Sequence, residues 1–448
     1  MVGKGEAGPQ TGPQTVMVVD QDWWRRAARS AYIHVPFCRR RCFYCDFPIA
    51  VVGEFRPVRG GDPSGLPDPL APKVPLSGEN SGAIAQYVTL LGQEIETVAA
   101  QGRSRLPLET VFFGGGTPSL LSPDQLGFIL DLLDRHWGLA AGAEVAIEMD
   151  PGTFDRPKLA DFVAAGINRV SLGVQAFEDE LLAACGRSHR CADVDRAVDA
   201  IAAVDLNNWS LDLIAGLPHQ TVERWEWGLE RAIALGPPHL SVYDLTVEPG
   251  TPFGKWYKAG CAPLPSDRAT AEMYRRASEV LRGAGYHHYE ISNYARSGFE
   301  CHHNQVYWHN RPYYGFGMGA ASHLDGVRFS RPRNRAAYGD WVAGGCAIAA
   351  EPTPETDRLL ETLMLGMRLA AGLSIHQLRD RFGPGAIAAI ETVLQPHRES
   401  GLVRFLDQRG TILDTAIGLG DSDRLALSDP EGFLLSNQVL SDLFEALS

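Results

Sequence analysis

No apolar run in this chain approaches the ~20 residues that a helix needs to cross a bilayer, and residues 1–30 lack the apolar core of a secretory signal. An excess of positive charge is also missing. Lys and Arg number 41 against 54 Asp and Glu, leaving a net charge of −13, which argues against a general nucleic-acid binder. Cysteine is sparse, with 8 among 448 residues, and that usage fits a reducing compartment better than a secreted disulfide scaffold. No repeat of fixed period is present, which excludes solenoids and propellers. No Lys follows the glycine run Gly114-Gly115-Gly116, which excludes a phosphate loop of the Walker type. The profile expected is that of a cytoplasmic protein without a transmembrane segment, whose partners are small molecules or other proteins.

Three of the cysteines are crowded into Cys38-Arg-Arg-Arg-Cys42-Phe-Tyr-Cys45, after the apolar run Tyr32-Ile33-His34-Val35-Pro36-Phe37. They stand too close together for a sound disulfide framework, but as thiolates they can converge on one inorganic centre. A [4Fe–4S] cube normally takes four protein thiolates. Three on one short loop leave an iron open to the amino and carboxylate groups of a small chelating molecule. Two plainer readings compete: a zinc knuckle completed by His34 or a distant residue, and buried cysteines acting as small hydrophobes.

The chain is 45% hydrophobic, enough for a large core and two or three domains. Residues 1–30 read as an N-terminal extension, with the Gly-, Pro- and Gln-rich 1–16 expected to be disordered. Residues 53–82 are dense in Pro and Gly and read as a flexible insertion. From Ile84 onward, apolar residues at helical spacing alternate with short apolar runs. Six strands are predicted: Ala31–Phe37, Thr110–Phe113, Glu144–Met149, Arg169–Val174, Ser210–Ile214 and Leu240–Val247. The alternation indicates a parallel α/β sheet over residues 31–250, with the chemistry at the carboxyl ends of its strands. Order alone does not separate a doubly wound sheet from a barrel. Residues 251–350 form an aromatic, His-rich connecting region. Residues 351–448 read as a smaller α+β module with a winged-helix-like shape and short strands at Leu402–Leu406 and Thr411–Asp414. It lacks a Lys/Arg surplus, which favours a structural or docking role.

The Cys-x-x-x-Cys-x-x-Cys loop, with flanks Tyr32-Ile-His-Val-Pro-Phe-Cys38 and Tyr44-Cys45-Asp46-Phe47, resembles the radical S-adenosylmethionine (SAM) enzymes. It is most similar to the branch that holds the oxygen-independent coproporphyrinogen III oxidases and the HemW-type haem chaperones. The resemblance implies a partial (β/α)6 barrel, a [4Fe–4S] cluster on Cys38, Cys42 and Cys45, and SAM as a cofactor. Gly115, Gly116 and Thr117 match the segment that holds the methionine end of SAM. Glu148, Gln175 and Asp212 stand at successive strand ends and match SAM contacts, with Thr246 a weaker match on the sixth strand. Arg187, in Cys185-Gly-Arg187-Ser-His189, is the implied partner of the SAM carboxylate through fork-to-carboxylate geometry. Cys185 stands where the family pattern has Leu. Tyr32 and Tyr44 flank the cysteines, and the resemblance places them near SAM.

A second constellation is Cys301-His302-His303-Asn304-Gln305-Val306-Tyr307-Trp308. Its His303-Asn304-x-x-Tyr307-Trp308 resembles a haem-associated motif of the HemW-type chaperones. Imidazole is a standard axial ligand of haem iron, and aromatics can line the macrocycle. Two functions follow from the resemblance. One is a haem chaperone that keeps the cluster and SAM and delivers haem to acceptor proteins, including membrane haem proteins. The other is an oxygen-independent coproporphyrinogen III oxidase, which converts propionate side chains to vinyl groups. The oxidases carry a fourth cysteine where this chain has Phe47, which favours the chaperone.

Overall fold

The computed structural model describes residues 27–53, 55–57, 73–75, 77–101, 105–351 and 353–448. The expected disorder of residues 1–16 and most of the 53–82 insertion lie outside the described residues. Strand β1 (Ser30–Val35) leads into β2 (Phe37–Cys38), which pairs in parallel with β3 (Ala50–Val51) across the cysteine loop. Within the insertion, β4 (Phe55–Pro57) and β5 (Lys73–Pro75) pair antiparallel.

From α1 (Gly82–Ala100) the chain alternates: β6 (Leu108–Gly115), α2 (Pro123–Trp137), β7 (Leu139–Met149), α3 (Arg156–Ala164) and β8 (Arg169–Gln175). Then come α4 (Asp179–Ala184), α5 (Cys191–Ala202), β9 (Trp209–Ala215), α6 (Val222–Leu235) and β10 (His239–Asp244). Local chemistry starts these helices where the sequence directs. Ser122 and Gln125 form a reciprocal capping box with Pro123 in the first turn of α2, and Thr221 caps α6 through the Arg224 N–H.

Neighbouring strands β1, β6, β7, β8, β9 and β10 are parallel and lie in chain order. A doubly wound sheet reverses direction at a switch point. This one does not, so it is the singly wound sheet of a partial barrel. The sheet reaches further than residue 250, where the sequence reading ended it. After α7 (Pro252–Trp256) and α8 (Asp267–Gly283), β12 (Asn293–Ala295) adds antiparallel to β10, and β11 (His287–Glu290) pairs antiparallel with β12 at the sheet edge. Beyond α9 (His302–Trp308), β13 (Tyr314–Phe316) adds in parallel outside β1. These strands are three or four residues long, too short to show a period. The sixth strand ends at Asp244, so Thr246 sits in the following loop.

The strands are not uniformly apolar. Ile33, Val111, Ile147, Val170, Leu211 and Leu240 face outward and pack with Ile84, Leu91, Ile129, Leu159, Ile201 and Leu229 of the helices. Each such side chain, fully buried, stabilises the fold by about 2 kcal/mol. The intervening residues face the barrel interior, and many of them are polar. Glu94 of α1 is fully buried and accepts from Arg331 Nε (2.8 Å), Tyr338 Oη (2.6 Å) and Gly317 N (2.7 Å). That clasp holds β13, the hairpin β14 (Ala321–Leu324) and β15 (Val327–Ser330), and α10 (Arg335–Ala343) to the barrel.

The C-terminal module has its own core, including Leu363, Leu378, Ile390, Phe405, Leu425 and Leu443. It comprises α11 (Glu355–Gly366), β16 (Leu373–Ser374), α12 (Ile375–Glu399), β17 (Val403–Leu406), β18 (Arg424–Leu427), α13 (Glu431–Leu434) and α14 (Ser436–Leu447). Helix α12 is broken at Gly383 (φ 79°, ψ 167°), which separates a segment opening at Ile375 from one ending at Glu399. The strand predicted at Thr411–Asp414 does not form. Ile412 makes one bridge to Leu406, and β18 takes the place beside β17. Asp407 Oδ1 accepts the N–H groups of Arg409 and Thr411 in a tight turn that carries the chain off the ladder. The module docks on α8 through a two-pronged Arg275–Glu431 pair at 2.7 and 2.9 Å. Among the described residues no helix is long and apolar enough to cross a membrane.

Candidate cofactor site at the barrel mouth

The register of the sheet stacks the inward-facing side chains in rows. Tyr32, Phe112, Ala146 and Arg169 are lateral neighbours, as are Glu148, Ser171, Ser210 and His239, and above them Gly173, Asp212 and Ser241. They enclose a polar chamber of about 170 Å³. Above it, at the carboxyl ends of the strands, a larger cavity of about 440 Å³ opens. Glu148, Asp212 and Tyr243 line both.

All three crowded cysteines line the upper cavity, with Tyr44, Phe47, Gly115, Gly116, Thr117, Glu148, Gln175, Arg187, Asp212 and Thr246. Tyr32 does not line it. Its ring faces the lower chamber and its hydroxyl is 3.0 Å from His34 Nδ1. The cysteine loop is pinned at Phe43, whose N–H donates to the Cys185 carbonyl (2.9 Å) and whose carbonyl accepts from Phe253 N–H (3.0 Å). Arg41 crosses under the loop and donates to the carbonyls of Cys45 (3.0 Å) and Phe47 (3.3 Å). Cys185 is fully buried in the apolar cluster around Phe43 and Tyr44, so it fills the packing role of the family's Leu.

Glycine is required at two points of the rim. Gly115 has φ +113°, and a Cβ there meets the His34 ring at 2.4 Å. A Cβ on Gly116 meets the Phe37 carbonyl oxygen at 2.7 Å. Backbone approaches this close are open only to glycine. The Gly115 N–H donates to Glu148 Oε2 at 3.0 Å.

The electrostatics mark a site short of positive partners. Burial, with the nearby Asp212 charge, pushes the Glu148 carboxyl up to about 8 against the pull of the Gly115 N–H. Burial raises Asp212 to about 6, opposed by hydrogen bonds from Ser241 and Ser171. The Cys38 thiol is pushed up to about 12 by burial, partly offset by the Thr117 hydroxyl. Arg187 is buried. Its Nη2 donates to Asp150 and to the Gly173 carbonyl (2.9 Å), and its Nη1 donates to Cys42 Sγ (3.4 Å). Its Nε is buried and has no partner among the described residues. Asp150 also accepts from Thr117 Oγ1 at 3.1 Å. The sequence reading passed over Asp150. It lies two residues beyond Glu148, and the period of a strand would have put both on one face.

The donor set tests the competing metals. His34 is committed through both ring nitrogens, to Tyr32 Oη and to the Pro48 carbonyl (3.2 Å). Among the described residues no three His, Cys, Asp or Glu side chains converge on a single metal ion. Three cysteines line one cavity, a donor set of the kind that iron–sulfur centres take. The unpartnered Arg187 Nε and the proton-hungry Glu148 suit a ligand with both anionic and cationic ends.

The second constellation lies at the opposite, amino end of the barrel. Glu144, at the start of the inward row of β7, accepts the N–H groups of His302 (3.1 Å) and His303 (2.9 Å), which docks α9 under the chamber. His303 is fully buried. Its Nδ1 is 2.7 Å from Thr110 Oγ1 and its Nε2 is 2.8 Å from Tyr307 Oη, so neither nitrogen is open to an iron. Burial lowers its pKa to about 3. Asn304 and Tyr307 line the chamber floor. Trp308 lies outside it, with the Arg368 guanidinium 5.8 Å from its ring.

Residues 32–231 match the family model described as the radical SAM superfamily, and residues 353–410 match the HemN C-terminal domain. The fold is shared with the coproporphyrinogen III oxidase HemN from Escherichia coli, at TM-score 0.74 and 21% identity over 94% of this chain and 91% of that one. The class is thus a radical SAM partial barrel with a HemN-type C-terminal domain. A relative from Synechocystis sp., named heme chaperone HemW, is 47% identical over 93% of this chain and 97% of its own. The heme chaperone HemW of Bacillus subtilis is 33% identical over 87% of this chain and 98% of its own. The chain belongs to the HemW family of radical SAM proteins.

Proposed function

We propose that this chain is a cytoplasmic haem chaperone that carries a [4Fe–4S] cluster on Cys38, Cys42 and Cys45, binds SAM beside it, and passes haem to acceptor proteins, including ones at a membrane. The observation that carries the reading is near-full-length identity to relatives named heme chaperone HemW. A reduced cluster supplies the electron that cleaves SAM in this superfamily. The residues of this chain do the holding. Gly115, Gly116 and Thr117 bring backbone close to the ligand, Glu148 and Asp212 accept from its ammonium or hydroxyl groups, and Arg187 Nε answers its carboxylate. Gln175, Tyr44 and Thr246 bound the cavity, and Tyr32 lines the chamber below it.

An oxidase role shares only the fold with HemN, and Phe47 stands where the oxidases carry a fourth cysteine. The haem role of His303, Asn304, Tyr307 and Trp308 requires a rearrangement. Tyr307 must release His303 Nε2 before the imidazole can reach iron.

Haemin titration tests the proposal. The protein should develop a Soret band that weakens in His303→Ala, while the iron and sulfide content stays that of the unmodified protein. Cys42→Ala should lose the cluster absorbance after anaerobic reconstitution and keep the haem band. Absence of any Soret band in the unmodified protein would remove the chaperone reading.

A further inference from the structure

We propose that Arg187 and Thr117 are positioning residues that hydrogen-bond the sulfurs of Cys42 and Cys38 and thereby set the reduction potential of the centre, with Asp150 holding the first donor in place and competing for the proton of the second. This rests on the reading of the three cysteines as cluster ligands. Each sulfur has its own donor. Arg187 Nη1 lies 3.4 Å from Cys42 Sγ, and Thr117 Oγ1 lies 3.6 Å from Cys38 Sγ. Cys45 is served by the backbone of Phe47. Only the donor to Cys42 carries a charge.

Asp150 joins the two side chains, taking Arg187 Nη2 on one oxygen and Thr117 Oγ1 on the other. The Thr117 hydroxyl has a single proton, so Asp150 competes with Cys38 for it. Arg187 has donors enough for both partners and is held a third time by the Gly173 carbonyl at 2.9 Å. Hydrogen bonds and positive charge at cluster sulfurs favour the more negative, reduced state and raise the potential. Asp150 opposes that by charge. Signs of opposite direction are therefore expected from neighbouring residues, which a general loosening of the loop does not produce.

The test is an anaerobic redox titration, followed by electron paramagnetic resonance, on reconstituted full-length protein without SAM. Arg187→Gln should lower the ratio of reduced to oxidised centre at a fixed potential by about tenfold, about 59 mV for a one-electron couple. Arg187→Lys should recover part of that loss. Thr117→Val should lower the ratio by a smaller factor, and Asp150→Asn should raise it. The proposal is overturned if the variants hold full iron and sulfide yet titrate like the unmodified protein. It is equally overturned if Asp150→Asn moves in the same direction as Arg187→Gln. Unmodified protein that takes up no iron and sulfide at all would instead bring down the cluster reading beneath it.

Discussion

At the carboxyl end of the barrel the polar groups have capacity to spare, whereas at the amino end the His303 imidazole is already matched. Around the cysteines, Arg187 Nε is buried without a partner among the described residues, and Glu148 is held toward its protonated form by burial and the Asp212 charge. Under the chamber, His303 has both nitrogens engaged and Glu144 takes the N–H groups that open its helix. One end is arranged to receive a ligand. The other is arranged as a plug and must give up a hydrogen bond before it can bind anything. The motif nearest the expected haem chemistry is therefore the more tightly closed of the two.

The largest way to break this contrast is Glu144→Ala. Arg169 lies 3.9 Å from Glu144 and both are buried. The substitution removes the buried counter-charge of Arg169, which keeps its hydrogen bonds to Asn208 Oδ1 and the Phe299 carbonyl, and frees the N-terminus of α9, at a cost of about 3 kcal/mol. Denaturant midpoints should register that loss. Iron binding at the far end should persist in the folded fraction.

A smaller effect separates the two ends by sign. Glu148 titrates at about 8 instead of 4.5, so across that range the native protein holds more protons than the unfolded chain. Its contribution is intact below about 4.5 and is lost as pH rises through 8. His303 titrates at about 3 instead of 6.5, so its contribution is intact above 6.5 and lost as pH falls toward 3. Glu148→Gln should gain on the unmodified protein by about 1–2 kcal/mol near pH 8.5, and by nothing near pH 4. Urea unfolding at the two pH values measures the difference. A gain confined to low pH would reverse the assignment.

The smallest effect belongs to Phe47, which is 58% exposed. Phe47→Cys should change stability by no more than about 0.5 kcal/mol. The same variant, incubated anaerobically with coproporphyrinogen III, SAM and a reductant, should still yield no protoporphyrinogen, because an added thiol alters only the rim.

Much of the mouth is legible in the sequence. The cysteines, the glycine run and the polar residues at strand ends are close in sequence to the strands that carry them. Strand ends in a parallel sheet all point to one face. Asp150 was passed over because its partners, Arg187 and Thr117, lie 37 and 33 residues away. The resemblance places Tyr32 near the cofactor, and the alternation of β1 turns its ring into the chamber below the cavity.

The sequence by itself determined the alternation of strands and helices and the loop that gathers three thiolates, since both follow from spacing along the chain. Only the tertiary structure decided that the strands wind singly into an open barrel, and that β11, β12 and β13 extend it. It also decided that the His303 motif closes the end opposite the cysteines. Those outcomes depend on lateral register and on hydrogen bonds between residues far apart in the chain, such as Thr110 with His303 and Glu144 with α9. No local pattern encodes such pairings, because their energy appears only once the sheet has brought the partners together.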